Sequence, residues 1–251
     1  MDRFSHEAFD IAYLDQGKGD PVLLIHGFAS SSLVNWVNPG WIKTIEEAGY
    51  RAIAFDHRGH GQTTKSYRET DYTPRKMGSD AIALLDHLGI RRAHVFGYSM
   101  GARISAFMAL DYPDRVATLI LGGLGSGLVD GVGNWDPIAE ALRASDPSTV
   151  VDPRGKMFRE FADRTKSDRE ALAACIRLSR AELAPDEVAQ IRQPALVAVG
   201  TKDDVGGRAG PLAALLPNGE AFDIEGRDHM LSVGDRSFKA RALQFWKDHP
   251  L

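Results

Sequence analysis

Short, mostly apolar runs recur along the chain, separated by segments with helical spacing of apolar residues. The runs are PVLLIHG (21–27), YRAIAFD (50–56), AHVFG (93–97), VATLILGG (116–123), PALVAVG (194–200) and AFDIEG (221–226). A run without polar alternation is typical of a strand buried on both faces of a sheet. Repeated strand–helix–strand units predict an α/β fold, with a mostly parallel central sheet and helices on both faces.

One long segment interrupts this alternation, because no buried strand is predicted between residues 128 and 190. It contains helical patterns at 136–144, 154–165 and 167–183, and it is too long for an ordinary loop. We therefore expect a core at 1–127 and 191–251, with a helical cap inserted at 128–190. Ligands in such sheets bind at the carboxyl ends of the strands, and the cap would lie over that edge.

Composition narrows the classes of partner. The 251 residues carry a formal net charge of −4, which argues against a nucleic-acid partner because phosphate binding needs concentrated basic charge. The single cysteine, Cys175, permits no internal disulfide and no thiolate metal cluster. We find no secretory signal pattern and no apolar run of membrane-spanning length. These features predict a cytoplasmic protein with no membrane span, no cofactor and no metal; they leave its oligomeric state open.

The stretch GYSMG (97–101) places Ser99 between two glycines, after a predicted strand and before a predicted helix. A serine hydroxyl is a weak nucleophile that must be presented in the open beside a base. A tight strand-to-helix turn presents it in this way, and glycines on both sides avoid collisions with neighbouring elements. We interpret Ser99 as a nucleophile; the alternative is a turn serine or a helix N-cap.

An oxyanion hole requires two N–H donors near that serine. The sequence HGF (26–28) turns closely after a predicted strand, and the backbone N–H of Phe28 is one expected donor. The N–H of Met100, directly after Ser99, is the other. For His26 we expect a structural role in which it fixes the loop by hydrogen bonding.

Five motifs together resemble the α/β-hydrolase fold family. They are HGF (26–28), DHRGHG (56–61), GYSMG (97–101), VAVGTKDD (197–204) and GRDHM (226–230). They stand in the order and spacing common in that family, and the resemblance covers nearly the whole chain. It implies the order nucleophile, acid, histidine along the chain.

This order assigns the acid to Asp203, with Asp204 as its competitor, and the base to His229. His229 would take the proton of Ser99, and Asp203 would hold the other ring nitrogen. The family pattern has glycine before this histidine, whereas here Asp228 stands there and could reorient His229 or raise its pKa. In the DHRGHG loop, Arg58 is expected to pack under the oxyanion turn.

Aromatic and sulfur-containing side chains suggest an apolar binding cavity. The candidates for substrate binding are Trp36, Trp135, Met157, Phe158 and Phe161. Each of them could equally be ordinary core packing.

These features favour a serine hydrolase that cleaves a small or medium carboxylic ester, with a small apolar acyl compound as its partner. The resemblance also admits a lactonase or a carbon–carbon bond hydrolase with the same triad. A small-ligand receptor that retains the triad is a further alternative. Serine at position 99 argues against dehalogenases and epoxide hydrolases of this fold, which use aspartate there.

Overall fold

An eight-stranded sheet forms the centre of the computed structural model, which describes residues 1–251. The strands are β1 (Asp2–His6), β2 (Phe9–Gly17), β3 (Pro21–Ile25), β4 (Arg51–Phe55), β5 (Ala93–Tyr98), β6 (Val116–Gly122), β7 (Ala195–Gly200) and β8 (Gly219–Ile224). Their spatial order is β1-β2-β4-β3-β5-β6-β7-β8. All neighbours from β4 to β8 pair in parallel, which confirms the predicted α/β class.

The antiparallel edge of the sheet was not predicted. β1 pairs with β2, and β2 pairs with β4, in both cases antiparallel. Along β2 the side chains of Phe9, Ile11 and Tyr13 are buried at alternate positions. Such alternation is typical of a strand with one face on the core, although Ala12, between Ile11 and Tyr13, is buried as well.

Helices cover both faces of the sheet. They are α1 (Trp41–Glu47), α2 (Pro74–His87), α3 (Met100–Asp111), α4 (Asp136–Arg143), α5 (Pro153–Arg164), α6 (Arg169–Leu178), α7 (Pro185–Val188), α8 (Ala209–Leu215), α9 (His229–Ser232) and α10 (Arg236–Asp248). None of them has the length and apolar character needed to cross a bilayer. The cap-like helices α4 to α6 stand between β6 and β7, where no strand occurs; the division of the chain into domains there stays a prediction.

Two apolar layers fill the space between sheet and helices. The larger layer packs α2, α3 and the cap-like helices against one face of the sheet. The smaller layer is built around Trp41, Phe96 and Trp246 on the other face, where α1 and α10 lie. Apolar burial on both faces fixes the sheet, and with it the positions of the strand ends.

Candidate active site

Ser99 lies on the turn that joins β5 to α3. Its backbone has φ 54° and ψ −114°, a combination that residues with a side chain rarely adopt. The turn is held by the N–H of Ser99, which donates to the carbonyl of Gly122 on β6 at 2.8 Å. Strain of this kind persists only where the surroundings enforce it, and it is often found at functional sites.

The two glycines of GYSMG are required by close packing. A Cβ on Gly97 would lie 2.2 Å from the carbonyl oxygen of Gly101, and a Cβ on Gly101 would lie 1.9 Å from the carbonyl oxygen of Ile25. Both distances are far shorter than a van der Waals contact. The start of α3 can therefore approach β3 only because these positions lack side chains.

Three side chains from separate strand exits meet at Ser99. The hydroxyl of Ser99 lies 3.0 Å from Nε2 of His229, and Nδ1 of His229 lies 2.7 Å from Oδ2 of Asp203. The other carboxylate oxygen of Asp203 accepts the N–H groups of Val205 and Gly206 at 2.8 and 2.9 Å. The Asp203 carboxylate is fully buried and the His229 ring is 11% exposed, so solvent competes little for these bonds.

The acids beside these residues have other surroundings. Asp204 is exposed, whereas the Asp203 carboxylate faces His229. Asp228 is the N-cap of α9, and its Oδ1 accepts the N–H groups of Met230 and Leu231 at 3.0 and 2.8 Å. The Asp228 carboxylate thus stabilises the first turn of the helix that carries His229.

The expected oxyanion donors have no partner within the chain. The backbone N–H groups of Phe28 and Met100 donate to no protein acceptor. The loop of Phe28 lies against the serine turn, because a Cβ on Gly27 would stand 3.4 Å from the Cβ of Ser99. Asn35 holds this loop by accepting the N–H of Gly27 at 3.0 Å.

Histidine side chains lie beneath the loop of Phe28. Nδ1 of His26 lies 2.8 Å from the carbonyl oxygen of Gly27, and Nε2 of His26 accepts the N–H of His57 at 3.0 Å. Burial lowers the pKa of His60 to about 3 and holds that of His57 well below its ordinary value. These rings are therefore neutral near pH 7 and serve as packed, uncharged side chains.

Arg58 does not pack under the oxyanion turn as expected. Its guanidinium forms two hydrogen bonds with the carboxylate of Asp80 on α2, at 2.7 and 2.6 Å, and a third with the carboxylate of Glu7. The side chains of Arg58 and Asp80 are both fully buried, so each compensates the charge of the other. Asp56 makes the link to the oxyanion loop instead, because its Oδ1 accepts the N–H of Ser32 at 2.7 Å.

A cavity of about 210 Å³ opens over Ser99 and His229. Seven of its thirteen lining residues are hydrophobic, so it favours an apolar ligand portion. Phe158 and Phe161 on α5 contribute to the wall on the cap side, and Val34, Met230 and Val233 contribute from the core. Of the candidate substrate contacts, these two phenylalanines line the cavity.

Trp36, Trp135 and Met157 lie elsewhere. Trp36 is fully buried in the smaller apolar layer, with its ring 4.8 Å from that of Phe96. Trp135 lies behind Phe158 at a ring separation of 5.6 Å, and Met157 is 40% exposed. Since Met157 and Phe158 are neighbours on one helix, about 100° apart around its axis, only one of them faces the cavity.

Sequence reasoning missed two residues of the site. Tyr98 is buried next to Ser99, and its hydroxyl donates to the backbone carbonyl of His229 at 2.5 Å. Asn35 both holds Gly27 and lines the cavity. Tyr98 could have been considered because it precedes Ser99, whereas Asn35 lies in a helical turn (Leu33–Val37) whose position no motif indicates.

Known proteins resemble this chain in sequence and in structure. A family model described as the alpha/beta hydrolase fold matches residues 20–180. The chain is 30% identical over 229 residues to the dihydrolipoyllysine-residue acetyltransferase component of the acetoin cleaving system of Pseudomonas putida, covering 81% of this chain and 58% of that protein. It is 29% identical over 204 residues to the rhodomycin D methylesterase DnrP of Streptomyces peucetius, covering 76% of this chain and 66% of that one.

The chain thus spans 58% to 66% of the length of these two curated relatives. Among solved structures, a hydrolase from Pseudomonas aeruginosa PA01 superposes with a TM-score of 0.78. That match covers 97% of both chains at 23% sequence identity. A likeness at this level of identity shows a shared fold.

Proposed function

This chain belongs to the alpha/beta hydrolase fold family, and we propose that it is a serine hydrolase that cleaves a small or medium carboxylic ester. The observation that carries the proposal is the unbroken series of contacts from Ser99 to His229 to Asp203, at 3.0 and 2.7 Å, beneath an apolar cavity. A nucleophile, a base and an orienting acid within hydrogen-bond reach are the parts that acyl transfer needs.

In the proposed reaction, Oγ of Ser99 attacks the ester carbonyl while Nε2 of His229 takes the hydroxyl proton. Asp203 accepts the Nδ1–H of His229 and stabilises the imidazolium that forms. The backbone N–H groups of Phe28 and Met100 donate to the negatively charged oxygen of the tetrahedral intermediate. Because these two groups have no acceptor within the chain, they are available for that oxygen without breaking another bond.

His229 then gives its proton to the departing alcohol, which leaves an acyl group on Ser99. A water molecule, deprotonated by His229, attacks the acyl-enzyme; the bond to Oγ of Ser99 then breaks, His229 returns the proton to that oxygen, and the carboxylic acid is released. The relatedness to a methylesterase supports an ester as the substrate class. Lactones and carbon–carbon bonds beside a carbonyl are alternatives that the same three residues could serve.

The test is hydrolysis of p-nitrophenyl esters of increasing acyl length by the wild type, Ser99→Ala and Ser30→Ala. Ser30 also lines the cavity but lies beside no base, so it is the matched control. We expect Ser99→Ala to lose nearly all turnover and all labelling by a fluorophosphonate, and Ser30→Ala to retain both. A wild type that shows neither turnover nor labelling would contradict the proposal and favour a ligand receptor.

A further inference from the structure

Behind the aromatic wall of the cavity lies a partly buried positive charge that the proposed reaction does not use. The guanidinium of Arg180 stacks on Trp135, with Cζ 3.6 Å from the ring centroid, and it lies 5.4 Å from the centroid of Phe28. Phe28 is both a lining residue of the cavity and an expected oxyanion donor. Arg180 is therefore separated from the catalytic cavity by a single side chain.

Hydrogen-bond donors around Trp135 lack acceptors. Nε and Nη2 of Arg180 are buried without a partner, and so are Nε1 of Trp135 and Nη2 of Arg154. The Cζ of Arg154 lies 4.5 Å from the Trp135 centroid, so these donors belong to one cluster. A buried donor without an acceptor costs free energy, and the cost is larger for a charged group.

No carboxylate of the chain neutralises Arg180, since none forms an ion pair with it. Burial, with the charge of Arg103 as the next cause, lowers the pKa of Arg180 to about 9, so the group is still charged near pH 7. Arg103 is itself engaged by the backbone carbonyls of Gly127, Leu128 and Ala181. The cluster thus holds positive charge and offers N–H donors, but it has no anion.

Arg180 and Trp135 also line a second, open cavity of about 320 Å³, whose wall is formed by residues 133–136, 176–178 and 180 and by Glu69. Two acids share its wall. Glu69 is paired with Arg177 at 3.6 Å, and Asp136 lies in the first turn of α4, where an acid is stabilised by the helix. Space for a small ligand is therefore present directly beside the unpaired guanidinium.

We propose that Arg180 and Trp135 form a binding site for a carboxylate group behind the Phe28 wall of the catalytic cavity. A guanidinium binds a carboxylate through two parallel N–H bonds, and the indole N–H can add a third. The carboxylate has two sources. It is either a free small acid in the second cavity or the far end of an acyl substrate whose scissile ester lies at Ser99. The second source rests on the proposed function, and its acyl chain would have to pass the Phe28 ring.

The first arm of the test measures binding without turnover. Glutarate and its neutral analogue glutaramide are added to Ser99→Ala, and thermal stability is followed. We expect glutarate to raise the melting temperature and glutaramide to leave it unchanged. The shift disappears when Arg180→Met is added and persists with Arg192→Met, the same change at an exposed arginine outside the cavity. The proposal is overturned if glutarate still raises the melting temperature of the Arg180→Met variant. It is also overturned if glutarate never raises the melting temperature and the enzyme shows no preference for a charged ester in the second arm, described next.

The second arm measures kcat/KM for mono-p-nitrophenyl glutarate against the same ester with its free acid methylated. If the substrate supplies the carboxylate, the wild type prefers the charged ester by about tenfold or more, and Arg180→Met removes that preference. Binding of glutarate without a charged-ester preference identifies a free acid as the ligand. If neither ester is hydrolysed, the proposed function fails and the first arm alone decides this proposal.

Circular dichroism establishes that each variant is folded. If Arg180→Met does not fold, Arg180→Lys takes its place. Lysine keeps the charge but not the planar pair of donors, so the glutarate shift should shrink while the fold is retained. An undiminished shift in Arg180→Lys contradicts a bidentate guanidinium–carboxylate contact.

Discussion

Ser99 is held in a strained backbone conformation by the residues around it. A positive φ in a residue with a side chain costs on the order of 1–3 kcal/mol. The strain is enforced by the bond to Gly122 and by the tight packing of Gly97 and Gly101. The hydroxyl is thereby directed to His229 rather than to the backbone of α3, where it makes no capping bond.

Relief of this strain is measurable. Ser99→Gly and Ser99→Ala both remove the hydroxyl, but only glycine adopts the Ser99 conformation without penalty. We expect Ser99→Gly to be more stable than Ser99→Ala by about 1 kcal/mol, after the greater chain entropy of glycine is subtracted. Urea denaturation of both variants measures the difference. A less stable Ser99→Gly would show that the turn is unstrained.

Asp203 and Asp204 can be separated by a pair of equivalent changes. Asp203→Asn replaces an acceptor with an amide that cannot stabilise the imidazolium of His229, so kcat should fall by about 10³–10⁴-fold. Asp204→Asn changes an exposed side chain and should leave kcat within about twofold of the wild type. Steady-state kinetics on one ester decides the assignment. Equal losses in both variants would contradict Asp203 as the single orienting acid.

At the scale of elements, the DHRGHG loop packs histidine rings under the loop that carries Phe28. The His26 ring lies 4.5 Å from that of His57 and 5.3 Å from that of His60. Neither ring nitrogen of His57 has a hydrogen-bond partner. A proton on any of these rings would bury a charge, and the nearby cations of Arg58 and Lys65 add to that cost. For His26, burial outweighs the opposing effect of the Asp56 carboxylate, so its pKa is lowered as well.

This packing links stability to pH. In the unfolded chain a histidine gains its proton near pH 6.5, whereas the pKa of folded His60 is about 3. Between these values the unfolded state binds more protons, so the stability present above pH 6.5 is lost as the pH falls toward 3. At pH 5 the loss from one such histidine is about 2 kcal/mol.

Urea denaturation across this range tests the linkage. The wild type should lose stability steeply below pH 6.5, and His60→Gln should show a shallower slope. His249→Gln, on the surface at the end of α10, should keep the slope of the wild type. A slope that is identical in all these proteins would contradict a neutral, buried His60.

In the whole molecule, the catalytic cavity lies between the strands of the core and the cap-like helix α5. The positions of these two parts could be predicted from the sequence to different degrees. The core strands β3 to β7 were predictable, because strands buried on both faces are continuous apolar runs. The hairpin of β1 and β2 was not recognised, because only Phe9, Ile11 and Tyr13 alternate along β2 and the buried Ala12 between them weakens the pattern. The contacts of Arg58 depend on where α2 packs, which no local pattern contains.

The residues of the candidate site also divide into those that the sequence predicted and those that it could not. Ser99, Asp203 and His229 stand at strand exits, so the order of the strands brings them together. Trp36 and Trp135 could not be assigned from sequence, since an aromatic residue has the same pattern in a core and in a cavity. Phe158 and Phe161 lie on a cap-like helix, and only its packing against the core turns them toward Ser99.

Because α5 borders the catalytic cavity, we expect its side chains to limit the length of the acyl group that the enzyme accepts. Phe161→Ala removes a ring from the cavity wall, so kcat/KM for longer acyl esters should rise relative to short ones, by about tenfold for the best-fitting added length. Met157→Ala, on the exposed side of the same helix, should keep the wild-type profile. A p-nitrophenyl ester series measures both. Unchanged profiles in both variants would mean that α5 does not border the bound acyl group.

We expect Ser99 to form an acyl-enzyme, and intact-protein mass spectrometry detects that intermediate directly. An activated ester is mixed separately with the wild type, Ser99→Ala and His229→Gln, and each reaction is quenched in acid within milliseconds to seconds. The mass of the intact protein is then measured, and the protein is digested to locate the acyl group. We expect a mass increase of one acyl group in the wild type, confined to the peptide that contains Ser99, and none in Ser99→Ala. An ester that is turned over with no acyl mass on Ser99, or with the acyl group on another residue, would contradict this expectation.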